Sequence, residues 1–128
     1  MRKAPIAEDV LVTRIARIHG FQRAGDRIRD RVLKVTKRNH QIRRDPSGGR
    51  FVWNAQQAPE LWVRARSPAD DAAVRGIDDI ATEELLAAVP IVDTADIVSG
   101  VARYFGIKRV SATARDRIEK ALQRSASS

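Results

Sequence analysis

The chain has 128 residues, with 24 Lys and Arg against 16 Asp and Glu, so its formal net charge at pH 7 is +8. A chain of this length holds one domain or two very small ones, and its 43% hydrophobic residues are enough for a core. The absence of Cys excludes disulfides, thiolate metal sites and thiol nucleophiles. No apolar run approaches the ~20 residues of a membrane span, and no signal-peptide apolar region begins the chain, so we expect a cytoplasmic protein without a membrane partner.

The charge is unevenly distributed along the chain. Residues 1–66 carry a net charge of +10, residues 67–98 one of −7 and residues 99–128 one of +5. The positive segments favour a polyanionic partner, most simply nucleic acid. The acids of the middle segment form no calcium-loop pattern, and Glu83 and Glu84 fit a helix N-terminus, so we expect no metal site there.

The first predicted elements are two helices joined by a tight turn. Apolar residues recur at helical spacing over residues 10–18. Gly20 ends this helix, because Gly adopts the left-handed conformation that a helix end requires. Phe21 then turns inward, and a second helix runs from about Ala24 to about Arg38. This order predicts a helix-turn-helix arrangement.

The second helix carries a basic face beside an apolar one. At 100° per residue, four cations fall within an arc of about 60°, namely Arg27, Arg31, Lys34 and Arg38. The adjoining arc is expected to face the core and consists of Ile28, Val32 and Val35. The basic face is either solvated, with pairs such as Asp26–Arg29 and Asp30–Lys34, or it binds a polyanion that neutralises the repulsion between its cations.

Residues 39–50 contain turn signals and are interpreted as a loop. The β-branched and aromatic runs 51–53 and 61–64 follow, and they predict a hairpin near 51–65. A hairpin after a helix-turn-helix is typical of a winged helix. Arg50 and Arg64 would extend the basic surface, whereas the two tryptophans, Trp53 and Trp62, are expected in the core rather than stacked on bases.

The chain then repeats its first helix pair. After a linker over residues 67–81, Thr82 is the expected N-cap of a helix that ends near Pro90. Residues 12–38 align without gaps on residues 98–124, and ten of the 27 positions are identical. The second copy predicts a helix that stops at Gly106 and another that begins after Ser111, its expected N-cap. Three of the four basic positions recur in it, at Arg117, Lys120 and Arg124.

No pattern of catalytic residues occurs in the sequence. The two histidines, His19 and His40, have no third group placed to form a catalytic or a metal site. Phosphate-binding loops, nucleophile elbows and zinc-protease motifs are absent. We therefore expect a protein that is not an enzyme, with no catalytic residues, no metal and no cofactor.

Four segments resemble a bacterial family, domain-of-unknown-function family 3320. They are residues 19–28 (His-Gly-Phe-Gln-Arg-Ala-Gly-Asp-Arg-Ile), the aromatic runs 51–53 and 61–62, residues 80–85 (Ile-Ala-Thr-Glu-Glu-Leu) and residues 105–109 (Phe-Gly-Ile-Lys-Arg). Val110-Ser111 departs from the family's second turn. The resemblance implies a winged-helix-like domain at the C-terminal end of large helicase-like proteins with a superfamily-one ATPase core. No ATPase motif is present here, so a motor would lie on another part of the parent protein or on another chain.

The sequence therefore predicts an α+β, mainly helical fold. It comprises a winged-helix-like unit over 1–66, the linker 67–81, and a helical repeat unit over 82–128 that packs on the first unit as one compact domain. The expected function is a non-catalytic, weakly specific DNA-binding accessory domain that contacts the phosphate backbone. Arg27, Arg31, Lys34 and Arg38 would make the main contacts, with Arg23, Arg50 and Arg64 beside them.

Two alternatives remain open at this point. The first is a protein–protein adaptor that docks on a helicase or nuclease polypeptide or forms a homodimer, in which case the acidic segment could meet the basic surface of a second copy. The second is a small transcriptional regulator, although no dimerisation helix or ligand pocket is visible in the sequence.

Overall fold

The computed structural model describes residues 5–67 and 75–127. Within them the fold is α+β and mainly helical, as the sequence predicts, and it has five α-helices and one three-stranded antiparallel sheet. The chain divides into two compact units, Met1–Gln57 (unit 1) and Ala58–Ser128 (unit 2). The predicted first unit extends further, to residue 66, and residues 68–74 of the predicted linker lie outside the described residues.

Unit 1 combines a helix pair with a small sheet. Its elements are β1 (Ile6–Ala7), α1 (Glu8–Ile18), α2 (Asp26–Thr36), β2 (His40–Arg44) and β3 (Arg50–Asn54). The strands lie in the order β1-β3-β2 and both pairs are antiparallel. Val52 in the central strand pairs with Ile6 on one side and Ile42 on the other. The core of this unit includes the buried residues Ile6, Leu11 and Val52, and Phe51 and Trp53 are also buried.

The β-hairpin lies at residues 40–54, earlier than the predicted position near 51–65. β3 contains the predicted run 51–53, but its partner is β2, which lies in the segment interpreted as a loop. The turn between them explains the difference. The N–H of Asp45 donates to the carbonyl of Gly49 at 2.7 Å, and the carboxylate of Asp45 accepts from the N–H of Ser47 at 3.0 Å. These local bonds close a tight connection between two adjacent strands.

The predicted second strand over 61–64 is not formed. Pro59 begins a single 3-10 turn, Pro59–Leu61, and the residues after it carry no regular structure up to residue 67. The fixed φ of proline suits the start of a 3-10 turn, and this turn takes in Leu61, the first residue of the β-prone run. Leu61 and Val63 are exposed as a result.

The end of α1 is fixed by two backbone hydrogen bonds. The N–H of Gly20 donates to the carbonyl of Arg17 at 3.0 Å, and the N–H of Phe21 donates to that of Ala16 at 2.9 Å. Gly20 has a φ of +86°, the left-handed conformation that this helix end requires. Residues 19–25 then connect α1 to α2, a longer link than the three- or four-residue turn of a DNA-binding helix-turn-helix.

Unit 2 is helical in its described part. Its α-helices are α3 (Thr82–Ala88), α4 (Ile97–Tyr104) and α5 (Ala112–Ser127), and single 3-10 turns lie at Pro59–Leu61, Ile77–Asp79 and Val89–Ile91. Thr82 is the first residue of α3 rather than its N-cap, a position that Ala81 occupies without a side-chain bond. The core includes the buried residues Ile80, Leu85, Val101, Phe105 and Ile118.

The predicted repeat is visible in the backbone of unit 2. The N–H groups of Gly106 and Ile107 donate, at 2.9 Å each, to carbonyls that lie 86 residues after those at the end of α1. Gly106 has a φ of +84°. The connection to the next helix again has seven residues, 105–111, and the Ser111 hydroxyl accepts from the N–H of Ala114 at 3.1 Å as the predicted N-cap of α5. The two helix pairs therefore share one local structure.

A fully buried carboxylate holds part of unit 2 together. Glu84 of α3 accepts hydrogen bonds from Nη2 of Arg66 at 3.0 Å and Nη2 of Arg75 at 2.6 Å, and from the backbone N–H of Arg66 at 2.9 Å. Burial would raise the pKa of Glu84, but the hydrogen bonds and charges of Arg75 and Arg66 lower this pKa below its ordinary value. The carboxylate is thus ionised at neutral pH and ties α3 to the chain before it.

We expect Glu84→Gln to lower the free energy of unfolding by about 3–5 kcal/mol at neutral pH, because Arg66 and Arg75 then lose their carboxylate inside the protein. The pKa of Glu84 is lower in the folded than in the unfolded chain. The ionised carboxylate therefore stabilises the folded state in full at pH values well above 4.5, and this stabilisation is lost as the pH falls below 4.5. Urea unfolding of both proteins at several pH values measures the difference, which should shrink on acidification.

Glu119→Gln is the matched control for this prediction. Glu119 lies on α5 with 49% of its side chain exposed and pairs only loosely with Arg115, at 3.8 Å. Its replacement should change the free energy of unfolding by less than about 1 kcal/mol. A stability loss in Glu84→Gln that stayed constant into the acid range would contradict the assigned pKa direction.

Candidate nucleic-acid interface

Three of the predicted basic residues lie together on the outer face of α2. Arg27, Arg31 and Lys34 are exposed and follow one another at helical spacing, so their Cα atoms share one side of the helix. None of them forms a hydrogen bond or an ion pair through its side chain with any residue in the described ranges. The helix thus presents a row of free cations to solvent.

The row is extended beyond both ends of α2. Arg38 lies two residues after the helix end, in a turn where its N–H donates to the carbonyl of Val35 at 3.2 Å. Arg23 lies in the connection from α1. Both side chains are exposed. We call Arg27, Arg31, Lys34 and Arg38 the basic stripe.

Arg29 lies on the same helix but, unlike the residues of the basic stripe, it is paired with acidic side chains. Its Nη2 donates to Oδ1 of Asp9 at 2.6 Å and its Nη1 to Oε1 of Glu8 at 3.1 Å, so it joins α2 to the start of α1. The hydrogen bond that Arg29 donates to Asp9 raises the pKa of Arg29, which keeps this guanidinium charged. The pairs Asp26–Arg29 and Asp30–Lys34, expected if the face were merely solvated, are not formed in the described structure.

The two predicted basic residues outside α2 have different surroundings. Arg50 begins β3 and donates through Nη2 to Oε1 of the buried Glu8 at 2.9 Å, while 57% of its side chain remains exposed. Arg64 is exposed and belongs to unit 2. Of the predicted basic residues in unit 1, the four of the basic stripe and Arg23 are exposed and have no acidic partner in the described ranges.

Sequence reasoning missed two further arginines of unit 1. Arg43 and Arg44 are exposed on β2. They fell in a segment interpreted as a loop, so no face was assigned to them. Ile42 is the one apolar residue of this strand, so the period-two pattern that would have predicted a strand here is weak.

The second copy does not repeat the stripe. Arg117, which corresponds to Arg31, is only 8% exposed and donates through Nη2 to the carbonyl of Ile80 at 2.9 Å. Lys120 pairs with Asp116 on the same helix at 3.0 Å. Of the three expected cations, only Arg124 is left on the surface without a partner among the described residues.

The two tryptophans differ in how far they are buried. Trp53 on β3 is 1% exposed. Trp62 is half-buried and packs against the core of unit 2. The expectation that both fill the interior rather than a binding face is consistent with this placement.

Comparison with known proteins identifies one similarity. A family described as "Protein of unknown function (DUF3320)" matches residues 3–30, which span β1, α1 and the first residues of α2. This match supports the resemblance to domain-of-unknown-function family 3320 over that segment. No curated protein and no solved structure shows a significant match to the chain. Among the helices described here, none has both the length and the apolar character needed to cross a bilayer.

The equivalent positions Arg31 and Arg117 allow a paired test of these assignments. Arg117→Ala should lower the free energy of unfolding by about 2–3 kcal/mol, because the Ile80 carbonyl loses a charge-assisted hydrogen bond in a buried place. Arg31→Ala should change it by no more than about 0.5 kcal/mol, since Arg31 has no partner to lose. Urea unfolding of both variants measures the two effects, and equal losses would contradict the difference between the copies.

Proposed function

We propose that the chain is a non-catalytic DNA-binding accessory domain that contacts the phosphate backbone with weak sequence specificity. The observation that carries the proposal is the selective pairing of cations in unit 1. Arg29 and Arg50 are neutralised by Glu8 and Asp9, whereas the basic stripe has no acidic partner in the described structure. Cations kept free on one helix face repel one another, and duplex phosphates would remove that repulsion.

The dimensions of the stripe suit a backbone contact. From Arg27 to Lys34 the helix rises by about 10 Å, and Arg23 and Arg38 extend the row at both ends. Long, flexible side chains spaced along such a row can each donate to a phosphate oxygen. Weak specificity follows, because phosphate contacts fix position without carrying sequence information.

The topology of unit 1 supports a winged-helix assignment. A strand precedes the helix pair, a hairpin follows it, and all three strands join one sheet. In this proposal α2 is the helix that faces DNA, and the hairpin His40–Asn54 is the wing, with Arg43 and Arg44 on its outer strand. The seven-residue connection before α2 is longer than the usual turn of helix-turn-helix proteins.

The parent context is a helicase or a related DNA-processing protein. This part of the proposal rests on the resemblance to domain-of-unknown-function family 3320, together with the match over residues 3–30. The chain would then act as a basic contact that holds the duplex for a motor located elsewhere.

A salt titration with charge-reversal variants tests the DNA proposal. Four phosphate contacts predict a slope of about −3.6 in a plot of log K against log salt, so the affinity for a short duplex should fall about 100-fold between 50 and 200 mM salt. Lys34→Glu with Arg38→Glu removes two contacts, and should lower the affinity at least about tenfold and reduce the slope by about 2. Fluorescence anisotropy with duplexes of two unrelated sequences measures both quantities.

Lys120→Glu with Arg124→Glu is the control, because these residues occupy the equivalent positions of the second copy and the change in net charge is the same. It should leave most of the affinity intact. Binding that does not respond to salt, or a control that loses as much affinity as the stripe variant, would overturn the proposal that α2 contacts the phosphates.

A further inference from the structure

The helix pair of unit 1 has an open apolar groove. It lies between α1 and α2, has a volume of about 530 Å³, and is lined by Ile15, Phe21, Ile28, Val32 and Val35, with His19 and Arg31 at its edge. The sequence predicts that Phe21 and Val35 face the interior, but they are 51% and 54% exposed. Apolar side chains left open in a concave surface are typical of a docking site.

The equivalent surface of the second copy is closed. The counterparts of Ile15, Val32 and Val35, 86 residues later, are Val101, Ile118 and Ala121, and these are 0%, 1% and 3% exposed. The backbone hydrogen bonds at the ends of α1 and α4 match, and so do the lengths of the connections that follow. We therefore relate the difference in exposure to the segment that packs on the helix pair of unit 2.

The cover in unit 2 is the segment that leads into α3 and α3 itself. Two contacts fix it at the positions that correspond to the groove edge in unit 1. The guanidinium of Arg75 lies 5.5 Å from the ring centroid of Phe105, the counterpart of His19. Arg117, the counterpart of Arg31, donates to the carbonyl of Ile80 just before α3. Leu85 of α3 is buried in the same cluster.

We propose that the groove of unit 1 binds a short, acidic, amphipathic helix of a partner protein, in the way that α3 covers the equivalent face in unit 2. Arg31 would then donate to a backbone carbonyl ahead of the partner helix, as Arg117 does to Ile80. The proposal does not rest on the proposed DNA-binding function, because it is argued from the apolar lining and from the comparison between the two copies.

Charge complementarity selects an acidic partner. Unit 1 has 14 Lys and Arg against five Asp and Glu over residues 1–57, a net charge of +9. The covering segment Gly76–Val92 of unit 2 contains four acids and no base. A helix of that type would be attracted to the groove and would place its charges beside the cations of α2.

A synthetic peptide with the sequence of residues 76–92 is the probe for this groove. Labelled and titrated with the full chain in a fluorescence anisotropy assay, it should bind saturably. Val35→Asn in the chain should weaken binding about tenfold, because a groove-lining apolar contact is lost. Leu85→Asn in the peptide should weaken it by a similar factor.

The controls separate the possible outcomes. Val63→Asn replaces another exposed valine, 84% exposed and outside the groove lining, and should not change peptide binding. Circular dichroism verifies that each variant is folded, and the neutral Val35→Asn change should leave DNA affinity unchanged. No binding at about 1 mM peptide, or equal binding by Val35→Asn, overturns the proposal. A dimer that Val35→Asn dissociates, seen by light scattering, would show a second copy in the groove and overturn it as well.

Discussion

Each unit depends on one buried glutamate that is held by two arginines. Glu8 is 4% exposed and accepts from Arg29 and Arg50, which brings the start of α1, the middle of α2 and the start of β3 together. Glu84 is 0% exposed and accepts from Arg66 and Arg75. A carboxylate taken out of water is costly unless it is paired and hydrogen-bonded, so these arginines are committed to structure. The cations that remain free are those available for a ligand.

The features that were predictable from the sequence are local ones. Helix ends at Gly20 and Gly106 depend on a left-handed glycine and on bonds within a few residues, and both were placed correctly. The predicted position of the hairpin is wrong, because two segments, 40–44 and 61–64, could each pair with β3, and contacts outside those segments decide which of them does. The run 61–64 has high β-propensity, yet its first residue belongs to the 3-10 turn Pro59–Leu61 and no strand forms there. The arginine-rich β2 forms because the turn at Asp45 closes it onto β3.

The site shows the same division between local and distant causes. The stripe on α2 follows from the helical angle alone and could be predicted. The ion pairs of Arg29 and Arg50 with Glu8 could not be predicted, because Glu8 lies 21 and 42 residues away from them in sequence. The burial of Arg117 also depends on a distant segment, since it is the carbonyl of Ile80 that draws this side chain inside. Two arginines aligned by the repeat therefore have opposite environments.

The basic stripe and the apolar groove share α2, and Arg31 lies at their border. Around the helix axis the stripe is centred near Arg27 and Arg38, and the groove lining near Ile28 and Val35 is displaced from it by about 90°. An acidic helix in the groove would put negative charge next to the stripe and would repel duplex phosphates from it. Occupation of one surface would thus weaken binding at the other, with a coupling free energy that is the same in both directions. In unit 2 this competition does not arise, because α3 already covers the groove and Arg117 is already bound.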